Sequence, residues 1–292
     1  MEDNYRGRIV VGIDGSPHSE RAARWAAREA VANGRGLTLL FAILPAVTSF
    51  TFGPGVPVSP NGIDVIRAAA GNELHLLAET LPCEDVLTAL VIGAPSGALF
   101  DASLSAETIV VGSRGRGGFE GLLLGSVSAQ ISAHAQCPVV IIRDEPIVDA
   151  RNIVVGLDGS PASQAALAFA FDQASTHGWH LVALHAWDIP SYDLLVFSDS
   201  SSPVALSRNI EDEIKLTAAA LGGFTAKHPD VKVETRVIRG NTAEALVAAA
   251  YDAAMLVVGT RGHGRILGAI VGSVSRSVMH KSAVPIAVVP AS

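Results

Sequence analysis

The sequence predicts an α/β protein built from two tandem, doubly wound, five-stranded parallel sheets with helices on both faces. Three observations carry that expectation. Blocks recur in constant order: Ile9 to Pro17 reads IVVGIDGSP and Ile153 to Pro161 reads IVVGLDGSP, 144 residues apart. IVVGSRGRGG from Ile109 matches LVVGTRGHGR from Leu256, and LLGSVS from Leu123 matches IVGSVS from Ile270, both 147 residues apart. A repeat of this length marks a duplicated domain. Within each copy, short β-branched runs alternate with longer Ala-rich amphipathic stretches, the pattern of βα units and a parallel sheet. The composition agrees: 49% of residues are hydrophobic but only 5% aromatic, so Ala, Val, Leu and Ile must fill the interior. Parallel strands covered by Ala-rich helices suit such a mixture.

Taken in order, the first copy reads as strands at Ile9 to Ile13, Leu37 to Ile43, Val86 to Ile92, Ile109 to Gly112 and Val139 to Ile142, with helices in the gaps. The second copy gives the same count, near Ile153, Leu181, Val233, Leu256 and Ile286. Ser16 before Pro17 and Ser160 before Pro161 each supply an N-cap oxygen and a proline preset for the first helical turn, a reading that needs no functional role. The three-residue change in offset falls where both copies turn irregular. Pro45 to Gly62 is rich in Pro and Gly, and Asp188 to Val204 in Ser and Asp, so both read as loops. Arg143 to Arg151, RDEPIVDAR, reads as a linker, which gives domains at 1–146 and 147–292.

Several function classes fall away on composition. A net charge of −7 with no gathered Lys or Arg surface excludes nucleic acid as a partner. All four lysines, Lys215, Lys227, Lys232 and Lys281, lie in the second half, so the first copy has none for phosphoryl or Schiff-base chemistry. Cys83 and Cys137 lack the paired spacing of metal or redox sites and read as reduced thiols. The N-terminal MEDNYRGR lacks the order of a secretion signal, and apolar runs stop short of the ~18 residues that span a membrane. A cytoplasmic protein with no membrane contact is expected. His75, His134, His177, His180, His185, His228 and His280 form no ligand-spaced cluster and read as solvated or packing residues. His18 and His263 lie near the expected pockets. Glu211, Asp212 and Glu213 read as the wet face of a helix, and Trp25, Trp179 and Trp187 as packing.

In a doubly wound sheet, ligands bind beyond the carboxyl ends of strands where the winding reverses. If the first and fourth strands meet there, Asp14 lies beside Gly112, and Asp158 beside Gly259. After the fourth strand the first copy reads GSRGRGGFEGLLLGSVS, with Gly112, Gly115, nine further residues, then Gly125 and Ser126. The second copy keeps the spacing at Gly259, Gly262, Gly272 and Ser273. Glycines permit positive φ and let backbone N–H groups approach a ligand, which makes an anion nest. The final Gly-Ser opens a helix, whose first amides, at Ser126, Val127 and Ser128 or Ser273, Val274 and Ser275, suit phosphate. Arg114, Arg116 and Arg261 add charge-assisted bonds. Neither the lysine-bearing phosphate loop nor the dinucleotide fingerprint is present.

On these residues the chain resembles the universal stress protein family, of the tandem, ATP-binding, mycobacterial-like type, which is marked by G-x2-G-x9-G-[ST] after the fourth strand. Both copies match that pattern in full, and the likeness extends to the VVG-[IL]-DGS segments and to the last strands after Pro138 and Pro285. The resemblance implies strand order 3-2-1-4-5, an adenine-nucleotide hydrolase-like variant of the Rossmann architecture, ATP held without a phosphate-loop lysine, and pairing of the two copies through their last strands. It implies adenosine contacts from Asp14 and Asp158, adenine-edge contacts from the backbone at Ala42 and Ala186, and phosphate contacts from the glycine loops. The full set is then Gly12, Asp14, Ala42, Gly112, Ser113, Arg114, Gly115, Arg116, Gly117 and Gly125 to Ser128, with Gly156, Asp158, Ala186, Gly259, Thr260, Arg261, Gly262, His263, Gly264 and Gly272 to Ser275 in the second copy. A turn-forming role for the two aspartates remains open. Mg²⁺ enters only through the ATP phosphates, and no protein metal site is expected. The function implied is nucleotide-dependent regulation in a stress response, with little or no hydrolysis, an unidentified protein partner and a homodimer. A weak ATPase or phosphotransferase using Asp14 or Asp158, and a nucleotide-free scaffold, are the alternatives.

Overall fold

Valine- and isoleucine-rich runs form the strands and alanine-rich stretches the helices in a computed structural model of the chain, which describes residues 4–44, 60–115, 124–144, 149–187, 203–260 and 271–291. Two units divide the chain, Met1–Glu145 and Pro146–Ser292. Unit 1 runs β1 (Ile9–Ile13), α1 (Pro17–Ala32), β2 (Leu37–Ile43), α2 (Pro60–Glu79), β3 (Val86–Ile92), α3 (Pro95–Ser103), β4 (Thr108–Gly112), α4 (Ser126–His134) and β5 (Val139–Ile142). Unit 2 runs β6 (Asn152–Leu157), α5 (Pro161–His177), β7 (His180–Trp187), α6 (Pro203–Lys227), β8 (Val233–Arg239), α7 (Thr242–Ala249), β9 (Met255–Gly259), α8 (Ser273–Lys281) and β10 (Ile286–Val289).

Every pairing within unit 1 is parallel, in the order β3-β2-β1-β4-β5. Unit 2 repeats it as β8-β7-β6-β9-β10. The winding direction reverses between β1 and β4, and between β6 and β9, and such a reversal opens a crevice at the carboxyl ends. Register then decides which residues border it. Ile13 pairs with Phe41 and Leu157 with His185, so Asp14 and Asp158 leave the sheet next to Ala42 and Ala186.

Small side chains let the helices lie close on the sheet. In α1, Ala22, Ala23, Ala26, Ala27 and Ala30 have no exposure, and Ala166 and Ala170 of α5 match them. Beneath lie Ile109, Ile141, Ile142 and Ile153, whose burial contributes about 1.5–3 kcal/mol each. Far from the crevice, Arg8 clamps the amino ends of three strands, donating to Asp85 Oδ1 and Oδ2 (both 2.8 Å), the Leu37 carbonyl (2.9 Å) and Thr38 Oγ1 (3.1 Å). That guanidinium holds the Asp85 carboxyl below its ordinary range.

The structure departs from expectation in two segments. Irregular chain was expected through Gly62 and Val204, but α2 starts at Pro60 and α6 at Pro203. Proline has its φ preset for a first helical turn and gives up an N–H that has no helical partner there. Residues 45–59 and 188–202 lie outside the described residues, as do 145–148 of the expected linker and 116–123 and 261–270 of the two glycine loops.

Ser16 Oγ accepts from the Ser19 N–H (3.2 Å) and Ser160 Oγ from the Ser163 N–H (3.1 Å), so both serines are N-caps. Ser16→Ala and Ser160→Ala should each lower stability by about 1 kcal/mol, read as a decrease in urea midpoint with unchanged slope.

Candidate functional site

At each crevice the repeated Asp-Gly-Ser-Pro block makes one compact turn. Asp14 Oδ1 accepts from the Ser16 N–H (3.0 Å), and Asp158 Oδ1 from the Ser160 N–H (2.9 Å). Between them Gly15 and Gly159 take φ of 74° and 76°, a left-handed conformation in which a Cβ is strained. The serine caps the helix and the proline begins it. The turn-forming role left open for the aspartates is therefore real. It also aims the carboxylate: a Cβ on Gly115 would strike Asp14 Oδ2, so the glycine loop lies directly against it.

Glycine at the end of the fourth strand has a different cause from the one expected. Gly112 and Gly259 do not adopt positive φ. A Cβ on Gly112 would meet the His18 carbonyl carbon and oxygen at 2.8 Å, and one on Gly259 would meet the Ala162 carbonyl carbon at 2.7 Å. Both glycines are needed because the first turn of α1 or α5 rests on the strand. A Cβ on Gly12 would meet Leu99 of α3 at 3.2 Å, and one on Gly156 would meet Leu246 of α7 at 3.0 Å.

The loop then closes by matched hydrogen bonds. The Gly125 N–H donates to the Ser113 carbonyl (2.7 Å) and the Gly272 N–H to the Thr260 carbonyl (2.8 Å). Ser128 Oγ donates to the Gly112 carbonyl (2.7 Å) and Ser275 Oγ to that of Gly259 (2.6 Å). The amides of Ser113 and Thr260 are taken by the Ile142 and Val289 carbonyls, both at 2.8 Å. The Gly125 and Gly272 amides and the Ser128 and Ser275 hydroxyl protons thus serve loop closure, while the Ser113 and Thr260 amides extend the pairing with β5 and β10.

Among the described residues, further amides lie at the start of the next helix. Gly125 and Gly272 cap α4 and α8 without a side chain, and the first helical bonds run from the Ala129 and Arg276 N–H groups, both at 3.0 Å. The amides of Ser126, Val127 and Ser128, and of Ser273, Val274 and Ser275, precede those bonds and carry the positive end of the helix dipole. Each unit thus brings together a carboxylate (Asp14 or Asp158), the second-strand backbone at Ala42 or Ala186, and an uncapped helix start, with Arg114 and Gly115 joining them in unit 1. Arg116, Gly117, Arg261, Gly262, His263 and Gly264 lie outside the described residues. Among the described residues, no three His, Cys, Asp or Glu side chains gather as a metal site.

Sequence reasoning missed two groups. His185, read as solvated or packing, holds its Nδ1 2.8 Å from the Leu157 carbonyl and its Nε2 2.9 Å from Glu213 Oε2, tying the crevice end of β6 to α6. Glu213 is therefore not simply a wet helix face. The available signal was weak: Phe41 occupies the equivalent place in unit 1. In unit 1, Arg21 Nη2 lies 2.6 Å from His18 Nδ1, and burial, then the charges of Arg21 and Arg114, hold the His18 imidazole below its ordinary 6.5. A hydrogen bond with the Arg143 backbone and the charge of Asp144 pull the other way.

Two doubly wound units, each with an aspartate turn beside a glycine-ended fourth strand at the reversal point, define a class of duplicated parallel α/β proteins. The model of the Universal stress protein family matches residues 6–143 and 150–290. A universal stress protein of Mycolicibacterium smegmatis is 37% identical over 295 residues, covering 96% of each chain. One of Mycobacterium tuberculosis is 36% identical over 294 residues, covering 96% of this chain and 95% of its own. The crystal structure of a universal stress protein from Archaeoglobus fulgidus shares the fold, with a TM-score of 0.71 at 21% identity over 99% of this chain and 97% of that one. The chain belongs to the universal stress protein family.

Gly112→Ala should cost about 1–3 kcal/mol because α1 must shift. Gly97→Ala, inside α3 with nothing within 4 Å of the added methyl, should stabilise by about 0.5–1 kcal/mol. Thermal denaturation of the pair checks this. A lowered histidine pKa means the folded state resists protonation, so the His18 contribution is complete above pH 6.5 and is lost as pH falls through the lower folded value. Wild type should therefore lose stability more steeply below pH 6.5 than His18→Gln, measured by urea unfolding across pH.

Proposed function

We propose that the chain is an ATP-binding regulatory protein of the stress response, with one nucleotide crevice per unit and little or no hydrolysis. One arrangement carries the reading: Asp14 is held by its own turn against the side-chain-free face of Gly115, beside three helix-start amides that no side chain caps. A carboxylate suits a ribose hydroxyl or adenine amino group, backbone amides suit phosphates, and the second-strand backbone at Ala42 suits the base edge. The donor set therefore fits an adenine nucleotide with its phosphates on α4, and unit 2 offers the same set at Asp158, Ala186 and α8.

Micromolar affinity needs about −8 kcal/mol, which several amide bonds and a buried base supply after the cost of association. Asp14 and Asp158 each commit Oδ1 to a turn, which suits holding a ligand better than activating water. ATP brings Mg²⁺ on its phosphates when it binds. Ordering of the glycine loop by nucleotide then alters a surface read by a protein partner, in the cytoplasm and in a homodimer.

Calorimetric titration of the full chain with ATP, ADP and AMP should give two sites for ATP near the micromolar range. Asp14→Ala should abolish one and Asp158→Ala the other, with folding confirmed by circular dichroism. Chromatography of the mixture after an hour should find ATP intact. Absence of heat with all three nucleotides would remove this reading, and wild-type turnover that disappears in Asp14→Ala while ATP binding survives would make the protein an enzyme.

A further inference from the structure

The two units present different outer strands to their surroundings. Among the described residues β3 pairs with β2 alone, and β8 with β7 alone. An outer strand offers a row of unpaired N–H and C=O groups to any other strand, and proteins blunt that offer with charges, proline, bulges or a short strand. β8 follows the rule. Its sequence VETRVIR carries Glu234, Arg236 and Arg239, all exposed, and Arg236 Nε donates to Glu234 Oε1 at 2.7 Å. β3 reads VLTALVI, without a charge or a proline, in unbroken register with β2 from Val86 to Ile92. Where β8 has its three charges, the repeat puts Leu87, Ala89 and Ile92 in β3. Leu87 is 38% exposed and Ile92 47%.

The pairing with β2 decides which backbone groups of β3 are left over. The Asp85 carbonyl accepts from the Leu37 N–H (2.9 Å), and the Gly93 N–H donates to the Ile43 carbonyl (3.0 Å), so the odd-numbered residues bond to β2. Alternation along the strand then turns the N–H and C=O groups of Val86, Thr88, Leu90 and Ile92 outward.

A second β3 running antiparallel meets that row residue for residue. The outward groups pair when Thr88 faces Leu90 of the other copy and Val86 faces its Ile92, which sets Leu87 against Val91 and Ala89 against itself on a two-fold axis. Every side-chain pair in this ladder is uncharged. The smallest side chain falls at a non-hydrogen-bonded pair, where strands approach most closely, to about 4.5 Å. The same pairing of β8 would set Arg236 against its own copy, and like charges directly opposite are destabilising. Pairing about Ala89 also brings α2 beside its copy on one face of the joined sheet. α2 packs on β3, where a Cβ on Gly71 would lie 3.6 Å from Leu90, and its Val65, Ile66 and Leu76 are exposed. Matching the buried Ala70 and Leu74 with Thr217 and Leu221 of α6 puts Asp212, Glu213 and Gly223 at those three positions.

We propose that β3 is a self-association edge, through which two copies of the chain pair antiparallel about Ala89 and continue the sheet of unit 1 from one molecule into the other. The inference is independent of nucleotide, and it gives the homodimer of the proposed function its surface.

The test is the mass of the full chain by sedimentation without nucleotide, across the micromolar range, together with hydrogen exchange of the β3 amides. Wild type should reach twice the 30.1 kDa of one chain, with the Thr88, Leu90 and Ile92 amides exchanging more slowly as concentration rises. Leu87→Glu/Ala89→Arg/Ile92→Arg, which gives β3 the charges of β8, should weaken association by about 100-fold or more. Thr88→Pro should also break the pairing; it removes one outward N–H and leaves the bonds to β2 in place, so it tests the edge even if the triple variant does not fold. Glu234→Leu/Arg236→Ala/Arg239→Ile should open a second edge and drive association beyond the dimer. A dimer that survives both β3 variants, or a monomer throughout the range, would overturn the inference. So would concentration-independent protection of the three amides in a monomer, which would seat another segment of this chain on the edge. Absence of ATP binding in a protein whose dimer is lost in both β3 variants would remove the nucleotide reading and uphold this one.

Discussion

At the end of β4 there is room for a hydrogen atom and nothing larger, because the His18 backbone lies 2.8 Å from where a Cβ would stand. That close approach seats the first turn of α1 on the sheet. The turn preceding it then has a fixed place, and with it the Asp14 carboxylate. From the other side, the Gly112 carbonyl accepts from Ser128 and so draws the start of α4 to the same spot. Carboxylate, glycine loop and helix start therefore converge because one side chain is missing. Unit 2 repeats the arrangement with Ala162 on Gly259 and Ser275 on the Gly259 carbonyl.

Duplication makes the molecule its own control. Features that both units keep, the Asp-Gly-Ser-Pro turn, the strand-end glycine and the serine tie, serve architecture as well as any ligand. Features that differ are free of that duty. His185 bound to Glu213 closes the crevice end of β6 where unit 1 has Phe41, and along the repeat Arg21 and Arg143 of unit 1 correspond to Ala165 and Pro290. The two crevices of one ancestry thus differ in polarity.

Glycine illustrates how a correct position can have an unexpected cause. The loop glycines were expected to supply positive φ, yet among the described residues the left-handed conformations belong to glycines such as Gly15 and Gly159, and not to Gly112, Gly115 or Gly125. Gly112 and Gly259 instead permit contact between backbones distant in sequence. Gly125 and Gly272 lend their amides to loop closure, and the three amides that follow precede the first helical bonds.

The strands, their parallel order within each unit and the twin crevices were legible in the sequence because each rests on a local signal: β-branched runs, Ala-rich helix faces, capping serines and a repeat that shows every signal twice. The aspartates and the helix starts were legible for the same reason. What only the tertiary structure decided are contacts between residues far apart along the chain. The spacing of Arg21 from Arg143, or of His185 from Glu213, carries no periodicity, and a glycine reads the same whether it bends its own chain or yields to another. Packing chooses between those causes, since the atoms that would collide with a Cβ come from a different element.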